Sequence, residues 1–195
     1  DVTITADDGY YFPEGYAATL SKDGVTVTRD SLTQITISGT PTEDEVALIL
    51  PAATAKTKPN APTGLKGEAP TSKEAVDGKI SGTTTAMEWS TDKENWSDCS
   101  DGSTTVGAKG IYYVRIKATD TAYASDATEV EVPRYLKPVD FPEPDLEYNY
   151  DGTVKTLFVP GEGYDIDGDI KATDAGKYSV NLTLKDGYKW TTEPT

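Results

Sequence analysis

Apolar and polar residues alternate along several short segments of the chain, and this alternation predicts β-strands. The longest alternating run is Gly110–Ala118, which should form a central strand. We expect its apolar face to turn toward Trp89, which lies in a second alternating run over 86–90. That face comprises Tyr112, Val114 and Ile116. Strong helical patterns are missing, so the pattern predicts an all-β fold.

The pattern at the start of the chain recurs near its end. Val2–Glu14 and Val180–Thr192 align without a gap. Each copy reads as an alternating strand, an Asp-Gly turn and then two aromatic residues two positions apart. Self-similarity of this kind predicts an array of repeated modules. We expect this chain to be a cut from a longer array.

Turn and linker signals divide the predicted strands into three small modules. The modules are predicted at 1–54, 63–133 and 140–195, with Pro-bearing linkers at 55–62 and 134–139. We expect the first module to lack a strand at its start and the last to lack one at its end. Outside the repeat strands, further strands are predicted at 32–38, 46–50, 146–150 and 153–159, with an Asp-Gly turn within 164–170.

Composition narrows the classes of function. The chain has 33 acidic and 18 basic residues, a formal net charge of −15, no histidine and one cysteine, Cys99. No basic face is expected, so nucleic acid is not an expected partner. No apolar run approaches the length of a membrane span, so membrane insertion is not expected. A single cysteine excludes an internal disulfide.

Residues of the last module carry a resemblance to a known family. They are Tyr150–Thr153, Phe158, Gly163, Asp174–Tyr178, Val180, Leu182, Leu184 and Asp186–Trp190. They resemble the small Ig-like repeats of Gram-positive surface proteins, of the "YDG…AGxYxV…DGYxW" type. In the middle module, Met87–Asp92, Asn95, Trp96, Gly110–Arg115 and Ala124–Glu129 look like another such module.

The resemblance implies a tandem of Ig-like or fibronectin-like β-sandwiches in an extracellular or cell-surface protein of gut Firmicutes. Such modules are often found beside extracellular glycosidases and adhesins. Neighbouring domains of the parent protein are the implied partners. The family motifs are turn and core residues, so the resemblance implies no catalytic residue, and we expect no cofactor.

Two candidate sites follow from residue types. Trp96 follows a polar loop and Tyr11 lies opposite Tyr10 and Phe12, so both are candidates to stack on sugar rings, against the alternative that the aromatic residues fill cores. Three carboxylates at alternate positions are a candidate calcium site, against the alternative of a plain hairpin turn. These are Asp165, Asp167 and Asp169.

Three functions are compatible with these observations. The first is a non-catalytic spacer or stalk, because the modules are small, acidic and closely joined; without histidine, Ser-His-Asp chemistry is excluded within this chain. The second is a carbohydrate-binding accessory module, with a polysaccharide or host glycan as partner. The third is a fibre subunit that self-associates through open strand edges.

Overall fold

The computed structural model describes residues 1–16, 24–42, 48–142 and 149–192, and these residues form an all-β structure without helices. The expected strands at 46–50 and 146–150 lie partly outside the described residues. The strands are β1 (Val2–Thr5), β2 (Tyr10–Tyr11), β3 (Val25–Arg29), β4 (Gln34–Gly39), β5 (Thr54–Ala55), β6 (Lys66–Glu68), β7 (Gly78–Thr83), β8 (Met87–Ser90), β9 (Ser97–Asp98), β10 (Gly102–Gly107), β11 (Gly110–Ile116), β12 (Thr128–Val132), β13 (Lys137–Val139), β14 (Lys155–Thr156), β15 (Tyr164–Gly168), β16 (Lys171–Ala172), β17 (Val180–Leu184) and β18 (Tyr188–Trp190).

The chain divides into two compact units. The first contains Asp1–Leu65, Gly82–Ser103 and Ile111–Val130, and the second contains Lys66–Ser81, Thr104–Gly110 and Glu131–Thr195. Both units are therefore assembled from separate stretches of sequence. The module boundaries derived from linker composition stay a prediction.

The first unit has an antiparallel sheet in the order β1-β4-β3. In β4, Ile35 is fully buried and lies opposite Ile4 of β1. It belongs to a core with Phe12, Tyr16 and Val27, against which Ile4 and Ala6 also pack. Burying a side chain such as Ile35 stabilises the fold by about 2–3 kcal/mol. Val2, two positions before Ile4 on the same strand, is 60% exposed at the edge of the sheet.

The first unit also contains most of a four-stranded sheet in the order β12-β11-β8-β9. The last stretch of this unit ends at Val130, within β12. The strand β11 is central, as predicted, and Tyr112 and Val114 are buried. Val114 lies opposite Trp89, and the rings of Trp89 and Tyr112 meet edge to face at 5.6 Å. The predicted face is confirmed for Tyr112 and Val114, whereas Ile116 is half-buried and lies opposite Met87. Trp89 itself is half-buried, so it closes the edge of this core.

The second unit contains several small sheets. One has the order β10-β7-β6, and three strand pairs join β13 to β18, β14 to β16 and β15 to β17. Around Trp190, the rings of Phe141 and Tyr164 lie 5.1 and 5.2 Å from the indole. Gly163 is required beside this cluster, since its φ is +91° and a Cβ there would lie 2.5 Å from the ring of Tyr188.

Two predicted elements of the last module differ in the structure. Of the strand expected over 153–159, the structure has only Lys155–Thr156. The Asp167-Gly168 pair does not form a tight hairpin turn, because both residues belong to β15, which pairs with β17 from Tyr164↔Leu184 to Gly168↔Val180. The long-range ladder therefore overrides the local turn signal.

Both segments that were expected to be linkers take part in strand pairing. Ala55 pairs with Tyr10 in the antiparallel ladder of β2 and β5. The segment 134–139 contains β13, which runs parallel to β18 with Lys137 opposite Tyr188. Neither strand shows the apolar alternation that predicts a strand, since β5 reads Thr-Ala and β13 reads Lys-Pro-Val.

Replacing Val114 by alanine tests the importance of the central strand. Val114 is fully buried, whereas Ile111 on the same strand is 41% exposed. We expect Val114→Ala to lower the free energy of unfolding by about 2 kcal/mol. The control Ile111→Ala should cost less than about 0.5 kcal/mol. Urea unfolding measures both, and equal losses would contradict the assignment of the core.

Candidate functional site

The loop between β8 and β9 is held by the carboxylate of Asp92. Its Oδ1 accepts hydrogen bonds from the backbone N–H groups of Glu94 and Asn95, both at 2.8 Å, and its Oδ2 accepts one from the Asn95 amide. The Ser90 hydroxyl donates a hydrogen bond to Asp92 Oδ1 at 2.8 Å. These bonds, led by that from the Asn95 side chain, hold the pKa of Asp92 far below its ordinary value. Lys93 completes the turn with a φ of 64°.

This loop positions Trp96 on the outer face of the sheet. The indole N–H donates to the carbonyl of Lys93 at 3.2 Å. The guanidinium of Arg115 lies 3.7 Å from the centre of the Trp96 ring, and Glu88 holds that guanidinium through a 2.7 Å ion pair. A second cation–π contact places the ammonium of Lys93 4.2 Å from the centre of the Tyr113 ring. Each cation–π contact contributes about 0.5–1 kcal/mol at an exposed site.

The two candidate sugar-stacking residues therefore have different surroundings. Trp96 is half-buried and an Arg115 side chain of the same chain stacks on its ring. Tyr11 is half-buried in the short ladder of β2 and β5, where it lies opposite Thr54. The more exposed ring of that strand is Tyr10, at 44%. Among the described residues Tyr11 contacts no other aromatic ring. Their role in binding sugar stays a prediction.

The candidate calcium ligands lie along one strand edge. Asp165 and Asp167 are exposed on β15, and Asp169 follows it. Asp165 lies 3.2 Å from the ammonium of Lys185, which competes with a metal for its carboxylate. Within the described ranges, no group of three acidic, cysteine or histidine side chains is arranged to hold a metal ion. The structure does not bring the three carboxylates together.

A cavity of about 700 Å³ in the second unit was not predicted from sequence. We call it the basic pocket. Four basic and two acidic side chains contribute to its lining, together with two tyrosines. These residues are Lys73, Lys109, Arg134 and Lys137, Glu74 and Asp186, and Tyr135 and Tyr188.

Ion pairs hold one wall of the basic pocket in place. Both terminal nitrogens of Arg134 bind the carboxylate of Asp186, one of them at 2.9 Å. The hydrogen bond raises the pKa of Arg134 and lowers that of Asp186, and Lys109 lowers the pKa of Asp186 further through its charge. Lys137 binds Glu162 at 2.8 Å, and the Tyr188 hydroxyl donates to the same carboxylate at 3.1 Å.

Three comparisons with known proteins add nothing to this description. No protein-family model, no curated protein and no solved structure matches the chain. The resemblance to Ig-like surface repeats therefore depends on the quoted motifs alone. No helix in the described part of the chain is long and apolar enough to cross a membrane.

Replacing Asp92 by asparagine tests whether its carboxylate holds the loop that carries Trp96. The pKa of Asp92 is lowered in the folded state, so its contribution is complete above the ordinary aspartate pKa and is lost as the pH falls through the lowered pKa. We expect Asp92→Asn to reduce the urea midpoint near neutral pH, with the difference from wild type shrinking in strong acid. The control is Asp101→Asn at an exposed position. A pH-independent difference would contradict the assignment.

Proposed function

We propose that the chain is a non-catalytic spacer made of Ig-like modules, a stalk segment of a bacterial surface or secreted protein. The observation that carries this proposal is that residues between the expected modules are hydrogen-bonded on two sides. Lys56 donates its backbone N–H to Gly9 at 2.7 Å, and Thr57 donates to Thr121 at 3.3 Å. The N–H of Tyr123 returns a bond to Thr57 at 2.8 Å. A spacer whose connectors are hydrogen-bonded in this way holds its neighbouring domains at a more constant distance than a spacer with flexible linkers.

The segment before the last module is attached on one side, to the last module itself. The N–H of Lys137 donates to the carbonyl of Gly187 at 2.8 Å, and that of Thr191 donates to Val139 at 2.9 Å. Gly187 is the counterpart of Gly9 in the repeated segment, and their φ values are +86° and +84°. In both copies the turn glycine accepts a bond from a lysine of the preceding or following connector. This shared bond to the turn glycine supports a tandem-repeat origin, while the two ladders differ in direction, antiparallel for β2 and parallel for β18.

One side-chain contact supports the Ig-like part of the proposal. The hydroxyl of Tyr178 donates to the carbonyl of Asp174, four residues upstream, at 2.6 Å. A tyrosine that binds the backbone a few residues before itself is characteristic of the corner between sheets in Ig-like sandwiches. Tyr178 belongs to the "AGxYxV" motif that carries the resemblance.

The geometry bears on the two alternatives in different ways. A sugar ring that stacked on Trp96 would compete with Arg115 for the indole face. At the chain's end β18 pairs with β13 and β17 pairs with β15, each in a two-stranded sheet, so both strands keep one edge and self-association there stays a prediction. At the other end β1 is an edge strand of its sheet, so self-association through Val2–Thr5 stays a prediction.

Hydrogen exchange on the intact chain tests the fixed joints. We expect slow exchange at the amides of Thr57 and Tyr123, because both are hydrogen-bonded. Thr57→Pro removes the donor and should speed exchange at Tyr123, whereas Thr57→Ala keeps the N–H and should leave it slow. The amide of Leu182 in the second unit is the internal control. Exchange at unstructured-peptide rates in wild type would refute the stiff spacer.

A separate assay tests the absence of catalysis. The chain contains no histidine, and small sandwiches seldom offer the cleft with paired carboxylates that glycoside hydrolysis requires. We expect no reducing sugar to be released from starch, xylan or mucin by the purified chain. Activity that disappears when a single carboxylate is replaced would overturn the proposal, and a heat-treated sample controls for background.

A further inference from the structure

The basic pocket carries an excess of positive charge in a chain that is strongly acidic. Its lining has four basic and two acidic side chains, whereas the whole chain has 18 basic and 33 acidic residues. The acidic surface of the rest of the chain repels anions. The positive potential that attracts an anion is therefore concentrated at the basic pocket. This arrangement suits a small anionic ligand.

Two of the four cations are not committed to a partner. Arg134 and Lys137 are paired with Asp186 and Glu162. In the described part of the chain, the side chains of Lys73 and Lys109 make no hydrogen bond or ion pair within 4 Å, and Lys109 acts on Asp186 only through its charge. Their ammonium groups can therefore bind the charged group of a ligand without first breaking a bond.

The pocket also has two aromatic residues in its lining, and one of them is held in position. The Tyr188 hydroxyl is bound to Glu162, and Gly163 allows the Tyr188 ring to approach its backbone closely. Tyr135 adds a second, half-buried ring to the lining. The Tyr135 ring and the Tyr188 ring, whose centre lies 5.8 Å from the Lys137 ammonium, offer apolar surface to a ligand. A cavity of about 700 Å³ is of the size that holds small molecules.

We propose that the basic pocket binds an acidic saccharide, with Lys73 and Lys109 contacting its anionic group and Tyr135 and Tyr188 contacting the sugar ring. An acidic peptide would satisfy the lysines but would make less use of the two rings. This site lies apart from Trp96 and Tyr11, and it does not depend on the chain acting as a spacer. The anionic group is a carboxylate or a sulfate, since an ammonium binds either.

Amide chemical-shift titration of the full chain tests the site. The probes are short oligogalacturonates, sulfated galacto-oligosaccharides and neutral galacto-oligosaccharides of equal length. We expect at least one acidic probe to shift the amides of Lys73, Lys109, Tyr135 and Tyr188, more weakly at high salt. The acidic probe that binds identifies the anionic group. Absence of shifts at these amides with both acidic probes, or equal shifts with the neutral one, would overturn the proposal.

Variants separate the pocket from general attraction. Lys73→Ala with Lys109→Ala should weaken binding about tenfold, because two ligand contacts are lost. Lys189→Ala is the matched control, since Lys189 is exposed on β18 and lies outside the lining. An equal loss in the control would indicate nonspecific attraction and reject the site. Binding of a short polyglutamate as tight as that of the acidic sugar would reject the saccharide.

Discussion

The parallel pairing of β13 with β18 is the interaction on which the second unit depends. It brings Lys137 beside Tyr188 and places Trp190 where Phe141 and Tyr164 surround it. Parallel strands need a long connection, and here the chain between them contains the other strands of the last module. Breaking this ladder would disturb both the aromatic cluster around Trp190 and one wall of the basic pocket.

Charge in this protein has two separate uses. Several basic side chains form ion pairs on the surface, and an exposed pair of this kind contributes about 0–1 kcal/mol. The pair of Arg115 and Glu88 is less exposed, and it orients the guanidinium over Trp96. In the basic pocket, pairing orients Arg134 and Lys137 while Lys73 and Lys109 supply net positive charge. The same residue types therefore serve structure in one place and recognition in the other.

Because the strands are short and the cores are thin, residues of the connectors pair with strands of the sheets. Each sheet of the described chain has two to four strands, and two-stranded ribbons are marginal by themselves. The pairing of Thr54–Ala55 with β2 and of Lys137–Val139 with β18 adds backbone hydrogen bonds where apolar burial is small. These pairings link the fold to the proposed spacer, because each connector is held by backbone hydrogen bonds to a strand of its own unit.

Local periodicity was enough to predict the all-β class, the central strand β11 and the face that carries Tyr112 and Val114, because alternation of side chains is a property of neighbouring residues. It was not enough for β13, whose Lys-Pro-Val sequence pairs with residues about fifty positions away. The surroundings of Trp96 depend on Arg115 in another strand, and the basic pocket collects lysines that are isolated in the sequence. Those features were decided by the tertiary structure, since only folding brings distant residues within the range of hydrogen bonds and charges.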